Sequence, residues 1–338
     1  MIVRRIRVLL GAAAVALIGL LWFVLQMFPI GGSGKLVIVT VHPGDSVATI
    51  ASEMHQQGVL ASPLAFRIDD LIFGSILIRP GSYQIAQGAS FSQVRSVFGN
   101  LPNVRAVSVM PGMTFHEVAL QVSGQKGVSF ADTFASLGSS GVVKSPFQGN
   151  GATSLEGLIG TGEYIIDPGE TPLQLLQSMV TRFNSQAASV ELTPSTTESY
   201  KTGRTINAYQ IITAASIVEK EGYYPSNMPQ VARVILNRLA RGGGLQMDAT
   251  VLYYLGQDGG KVTPAMLRLH SPYNTYYASG LTPTPICSVS LTALKAMLHP
   301  PVGSWLYFVV IDKNGTEAFS STFAQQLANE RLAASRGL

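Results

Sequence analysis

At 338 residues the chain is long enough for about two domains, each with a core of its own. Charged residues make up 12% of it against 46% hydrophobic, and a net charge of +4 with no long basic run argues against a nucleic-acid protein while leaving attraction to an anionic polymer open. The single cysteine, Cys287, excludes an internal disulfide framework and a multi-cysteine metal site.

The chain opens with an uninterrupted apolar run, Val8 to Leu25, close to the ~20 residues a helix needs to cross the hydrocarbon core of a bilayer. Arg4, Arg5 and Arg7 precede it and Lys35 is the first charge after it, so the positive-inside rule predicts a cytoplasmic N-terminus and places everything beyond Gly31 outside. The expected location is the inner (plasma) membrane, crossed once. A cleaved signal peptide is disfavoured by the length of the run and the lack of a clear Ala-x-Ala site, and it would leave the same compartment. The domain scheme is a tail and transmembrane helix over 1–30, a linker over 31–35, a small subdomain over 36–105 and a larger domain over 106–338. Gly31-Gly32-Ser33-Gly34 fits a flexible linker and not a phosphate loop, because Pro29 stands where a glycine is needed and Leu36 follows Lys35 where Ser or Thr is required.

Beyond the linker one pattern recurs: PGDSVATIA from Pro43, QGASFSQVR from Gln87, PGMTFHEVA from Pro111 and PGETPLQLL from Pro168. Each follows an extended segment and joins a glycine turn to a Ser or Thr placed to cap a helix, with apolar residues at helical spacing after it. Either small repeated units or ordinary strand-to-helix turns of an α+β protein would give this pattern. Farther on, Thr205 to Glu221 reads as one helix. A second begins near Asn227 or Met228, with Pro229 at an early position, buries Val231, Val234, Ile235 and Leu239, and stops at Gly242-Gly243-Gly244. WLYFVVI, 305–311, reads as a buried strand, Asn314-Gly315 as a type I′ hairpin turn, and the C-terminus as an amphipathic helix.

The stretch SIVEKEG, from Ser216, ends an apolar helix on two acids. Helical side chains lean toward the preceding turn, which sets Glu221 over Ile217 and Val218 but Glu219 over Ala215 and Ser216. Glu221 also precedes Gly222, a helix stop, so its carboxyl lies near the negative end of the helix dipole. Burial and dipole both disfavour the charged form, and a carboxyl with a raised pKa is what a general acid needs to protonate a glycosidic oxygen. Glu221 is therefore the expected catalytic acid, with Glu219 the fallback. Asp248 and Glu156 are candidates for the second carboxylate of a glycosidase pair, although Asp248 could instead cap a helix.

ASIVEKEG at 215, VARVILNRL at 231, LQMDATVLYYLG at 245, SPYNTYYASGLTPTPI at 271 and WLYFVV at 305 resemble the MltG/YceG-like endolytic murein transglycosylases in order and spacing. The region from the first repeat through ASEMHQQGVLASPLAF is similar to the LysM-like part of those enzymes. The resemblance implies an α+β fold: a single N-terminal transmembrane helix, a small LysM-like α/β subdomain and a larger mixed α+β catalytic domain. It also implies a bacterial, membrane-anchored lytic transglycosylase. Such an enzyme cuts the MurNAc-GlcNAc bond of nascent peptidoglycan strands, leaves 1,6-anhydro-MurNAc ends and terminates elongation alongside cell-wall synthases. The resemblance puts the catalytic glutamate at Glu221 and has Glu156, Gln246, Asp248, Tyr273, Asn274 and Thr275 line or support the glycan groove. For Tyr273 and Tyr276 a place in the core competes with sugar stacking. No metal or cofactor is implied. Three departures touch the groove: Cys287-Ser288-Val289-Ser290 replaces the usual Asn-Pro-Gly stretch, Glu317 stands where many members carry histidine, and LIGTGEYII lacks the common Phe-Pro.

Other classes fit less well. Ser123 to Lys126 matches S-x-x-K and Lys201-Thr202-Gly203 matches K-T-G, but no S-x-N lies between them and their separation is too small for a serine transpeptidase. His42, His55, His116, His270 and His299 are scattered without an H-E-x-x-H motif, which argues against a metallohydrolase. Two alternatives remain: a peptidoglycan-binding scaffold that has lost turnover, and a glycoside hydrolase that uses water and releases a reducing end.

Overall fold

The computed structural model describes residues 2–27, 34–100, 102, 104–149, 151–166, 169–199, 205–222 and 224–338. Residues 31–33 of the expected linker and the Lys201-Thr202-Gly203 match lie outside them. The fold is mixed α+β, and the chain divides into two compact units.

The first unit takes the chain up to Ala106, together with residues 165–167. It begins with helix α1 (Ile2–Met27), whose side chains are described from Ala13 onward. Among the described residues no helix is long and apolar enough to cross a membrane. After it come strand β1 (Leu36–Val41), helices α2 (Val47–Gln56) and α3 (Pro63–Phe73), strand β2 (Gly81–Ala86) and helix α4 (Phe91–Gly99). β1 and β2 pair antiparallel from Leu36↔Ala86 to Val41↔Gly81. The inward side chains Val39, Val41, Tyr83 and Ile85 meet Ile50, Met54, Phe66, Phe91, Val94 and Phe98 from the helices. Phe91 packs edge-on to Phe66 with ring centres 5.4 Å apart. Two buried aspartates of α3 are held electrostatically: Arg95 donates from Nε to Asp69 Oδ2 at 2.7 Å and lies 3.9 Å from Asp70.

The second unit contains all but the first residue of β3 (Ala106–Val109), α5 (Phe115–Lys126), α6 (Val128–Ser140), all but the last residue of β4 (Gly162–Ile165), α7 (Pro172–Ala188), β5 (Thr197–Ser199), β6 (Thr205–Asn207), α8 (Ala208–Glu221), α9 (Met228–Arg241), α10 (Asp248–Tyr254), α11 (Leu291–Leu298), β7 (Tyr307–Val310), β8 (Glu317–Ser320) and α12 (Phe323–Ser335). Its sheets are two-stranded ribbons, so the core is made by helices. α8 lies at its centre, buried from Ile211 to Val218 without a break, and packs on both α9 and α11.

All four repeated turns build a capped helix. Ser46, Ser90, Thr114 and Thr171 each accept a hydrogen bond from the backbone N–H three residues on, and in the last three the side chains of Gln93, Glu117 and Gln174 accept in turn from the backbone N–H of the cap residue. The predicted helix from Thr205 starts later. Thr205–Asn207 pair with Thr197–Ser199, and Asn207 closes a capping box with Gln210, which fixes the first helical residue at Ala208. α9 has Asn227 as its N-cap and Gly242 in the left-handed region at its end, and buries Val231, Val234 and Ile235 as expected, but Leu236 rather than Leu239 completes the buried face. Two readings near the C-terminus are corrected. β7 is half-buried rather than buried, because β8 is its sole sheet partner among the described residues. The turn before β8 is not type I′, which needs positive φ at both central residues. Here Gly315 has φ +77 and Asn314 does not; Asp312 instead accepts from the backbone N–H groups of Asn314, Gly315 and Thr316.

Candidate active site

The two acids that end α8 point to different tasks. Glu219 Oε2 accepts from the backbone N–H of Ser290 at 2.8 Å, and Ser290 is the N-cap of α11, accepting in turn from Ala293. One turn earlier, Ser216 receives the N–H of Ile286 on its hydroxyl and the thiol of Cys287 on its carbonyl. The Cys287–Ser290 segment is thus laced to the face of α8 that carries Ser216 and Glu219, and Glu219 is occupied there. Glu221 turns the other way. Its carboxyl lines a cavity of about 460 Å³ together with residues of α5, α10 and the Gly256–Gly259 loop.

α10 presents one side to this cavity: Asp248, Ala249, Leu252 and Tyr253, with Gly256 just beyond its end, recur at helical spacing. Ala249 N–H donates to Glu221 Oε1 at 3.1 Å. Asp248 does not cap the helix through its side chain; its Oδ1 accepts from the Tyr276 hydroxyl at 2.6 Å. Arg238 of α9 stands close by, its guanidinium donating to the carbonyls of Leu306 at 2.6 Å and of Leu245.

Burial is the chief reason the Glu221 carboxyl titrates at about 7 instead of 4.5, and the negative charges of Asp248 and Glu317 add to it. The Ala249 N–H and the Arg238 charge pull the other way and lose. Glu221 is only partly buried by surface area, but protein atoms crowd its carboxyl, and that crowding governs desolvation. The raised pKa matches the sequence argument; its source is the neighbouring elements more than the apolar turn of α8. Gly222 ends α8 in extended rather than left-handed backbone, and a Cβ there would come within 2.8 Å of Met228. The glycine permits the close approach of α9.

Glu156 reaches the same cavity from the segment after α6. It is 6% exposed. Its Oε1 accepts from Phe115 N–H, the first residue of α5, at 2.9 Å, and its Oε2 from the Tyr253 hydroxyl at 3.1 Å. Desolvation again outweighs these donors and lifts the carboxyl to about 7. The following residue, Gly157, has φ +70, and a Cβ on it would lie 2.3 Å from Pro285, so the loop that delivers Glu156 requires glycine there. Tyr253 and Tyr273 pack with ring centres 5.4 Å apart, and Tyr273 shares a hydrogen bond with Thr284 at 2.9 Å.

The structure brings Glu221, Asp248 and Glu156 to one cavity and gives the other expected groove residues different places. Asn274 is fully buried, donating to the carbonyls of Leu267 and Leu269 and accepting from Tyr276 N–H. Thr275 is 1% exposed; its hydroxyl accepts from Met247 N–H at 3.0 Å and bonds the Thr250 hydroxyl at 2.9 Å. Both therefore hold the approach to α10 from behind and do not line the cavity. Gln246 is exposed, adopts a left-handed φ of +53, and bonds to Thr275 through its backbone N–H. Tyr273 stands behind Tyr253. Sequence reasoning did not single out Tyr253, Arg238, Ala249, His116 or Lys220. Tyr253 was within reach, since it recurs with Asp248, Ala249 and Leu252 on one helical stripe; the Ala249 N–H carries no side-chain signal.

The sequence profile of the YceG-like family matches residues 39–332. The chain belongs to the YceG-like family. Among similar proteins, one of Bacillus subtilis named endolytic murein transglycosylase is 26% identical over 311 residues, covering 87% of this chain and 83% of its own length. A protein of the same name from Streptococcus pneumoniae is 25% identical over 316 residues; the match covers 84% of this chain and 56% of that longer protein. In three dimensions the chain is similar to the crystal structure of a putative YceG-like protein from Listeria monocytogenes, with a TM-score of 0.57 at 23% identity over 88% of this chain and 99% of that one, which supports the fold.

Proposed function

We propose that this YceG-like chain is an endolytic peptidoglycan lytic transglycosylase with Glu221 as its acid and base. The observation that carries the reading is the placement of Glu221: its carboxyl ends a buried helix, faces a cavity beside Asp248 and Glu156, and is kept protonated near neutral pH by burial. Two relatives named endolytic murein transglycosylase, each aligned over more than four-fifths of this chain, support the same substrate class.

In the first half of the reaction the protonated Glu221 donates its proton to the oxygen leaving C1 of a MurNAc unit, and the C1–O bond breaks with positive charge developing at C1. The Glu221 carboxylate then removes the proton of the same sugar's 6-hydroxyl, and that oxygen bonds to C1. The 1,6-anhydro ring closes, Glu221 is again protonated, and no water is consumed. Ala249 N–H holds one carboxylate oxygen in place through both halves. Asp248, fixed by Tyr276, supplies negative charge beside the developing cation.

Unit one serves in this reading as the LysM-like wall-facing module. The run from Val8 to Leu25 crosses the plasma membrane with the N-terminus in the cytoplasm, keeping the cavity near strands as they leave the synthases. A second reading, hydrolysis, is favoured by one feature: a second carboxyl group, Glu156, shares the cavity with Glu221, and such a pair activates water when one member is the acid and the other, ionised, is the base. Mass spectrometry of peptidoglycan digests separates the two. Anhydro-ended internal fragments that vanish with Glu221→Gln and persist with Glu219→Gln are the expected outcome. Reducing ends would assign hydrolysis, and binding without products would assign a scaffold.

A further inference from the structure

The first unit carries an apolar surface that its own core leaves uncovered. At the end of α3 and in the loop after it, Leu71, Ile72, Phe73 and Leu77 are 84%, 60%, 63% and 74% exposed. Four large apolar side chains within seven residues are more than the scattered exposure that soluble surfaces tolerate. The loop is built to hold them out. Arg95 donates to the carbonyl of Gly74 at 2.9 Å, and Asp70 accepts from Ile76 N–H at 3.0 Å, which ties down both of its ends. Ile76 and Ile78 turn inward onto the core, so Leu77 between them faces out.

The same core receives the end of α1. Phe23 and Met27 pack on it, Phe23 lying 6.5 Å from Phe91, which in turn meets Phe66 of α3. α1 thus leaves the unit alongside α3, and the side chains it carries away, Val15, Leu17, Ile18, Leu20 and Leu21, are apolar and 59% or more exposed. Exposed arginines border the patch: Arg67 one turn before Leu71 on α3, and Arg79 two residues after Leu77.

We propose that the face formed by Leu71, Ile72, Phe73 and Leu77 sits in the interfacial layer of the phospholipid bilayer that α1 enters, with Arg67 and Arg79 against anionic headgroups. This rests on the membrane anchoring proposed above and adds a second contact to it. A lone helical anchor leaves the first unit free to swing about residues after the membrane. A helix end packed into the unit's core and an apolar face beside it press the unit flat onto the bilayer, with apolar side chains at the acyl boundary and cations at the phosphates.

The test uses the full chain in vesicles of phosphatidylethanolamine and phosphatidylglycerol. Nitroxide labels are placed singly at Leu71→Cys, Phe73→Cys and Leu77→Cys, with Ile18→Cys and Gln56→Cys as references; the native Cys287 is fully buried and stays unlabelled. Accessibility to oxygen and to a water-soluble nickel chelate is compared at each site. The expected result is oxygen-favoured access at 71, 73 and 77, as at 18, with chelate-favoured access at the exposed position 56. Chelate-favoured access at the three sites while 18 remains in lipid would assign the face to water or to a protein partner and overturn the proposal with anchoring intact. Chelate access at 18 as well would overturn the anchoring reading itself. Replacing Arg67 and Arg79 with Glu is expected to shift the label at 73 toward the chelate in phosphatidylglycerol vesicles, and no shift would remove the headgroup contact.

Discussion

Asp69 and Asp70 in the first unit and Glu156 and Glu221 in the second are all carboxyl groups withdrawn from water, and the two units treat them oppositely. The first gives Asp69 a guanidinium, Arg95, whose Nε lies 2.7 Å from Oδ2. The second gives Glu156 a backbone N–H and a phenol, and Glu221 a backbone N–H, with Arg238 near enough to be felt but donating to carbonyls. A cation within hydrogen-bond range makes a buried carboxylate a structural tie. Neutral donors in a crowded site leave burial dominant, and the acid keeps its proton to about pH 7. The contrast separates an ion-paired strut from a carboxyl that holds its proton.

The sharpest way to break this contrast is Glu221→Gln. It keeps the size and an acceptor for Ala249 N–H but removes the proton, and turnover should fall by roughly a thousand-fold, within the range general acid catalysis supplies. The release of anhydro-ended fragments measures it. In the unaltered protein the same assay should lose rate as pH rises through about 7, because the protonated acid is then depleted; a rate that holds flat to pH 9 would remove Glu221 as the acid.

Arg95→Ala tests the strut. It leaves Asp69 buried, 2% exposed, without its cation, and should cost the first unit about 3 kcal/mol in urea unfolding, part of which Asp69→Asn in the same background should restore. Glu156→Gln should do the reverse. A carboxyl raised from 4.5 to about 7 contributes stability that is fully present below the unfolded pKa and lost as pH rises through the folded one. The variant should therefore melt like the parent near pH 4 and above it at pH 8, by up to about 3 kcal/mol for a shift of this size. Equal melting at both pH values would show that Glu156 is not held protonated. Smallest is Glu219→Ala, which removes an acceptor at the start of α11: about 1 kcal/mol of stability should go while activity per folded molecule stays.

Some of the site was legible in the chain alone because its signals are local. The four strand-to-helix turns announce themselves through a Ser or Thr three residues ahead of a free N–H, and the preference for Glu221 over Glu219 followed from helical lean and a glycine stop. The type I′ reading of Asn314-Gly315 failed because Asp312, two residues back, offers a side-chain acceptor that captures the turn. Asn274 and Thr275, expected to line or support the groove, support α10 through internal bonds and do not line the cavity, for a related reason. Short polar side chains carry the same letters whether they face a ligand or a backbone.

The sequence by itself determined the helices, their caps, the apolar run at the start and the candidate acids, since each depends on residues within a turn or two of one another. Only the tertiary structure decided that Glu219 would serve α11 while Glu221 met the N–H of Ala249 across a cavity, and that Glu156 would share that cavity from 65 residues away in the chain. Desolvation depends on which elements pack around a group. That packing, through α9, α10 and the Cys287–Ser290 segment, turned one of two neighbouring glutamates into an anchor and left the other holding a proton.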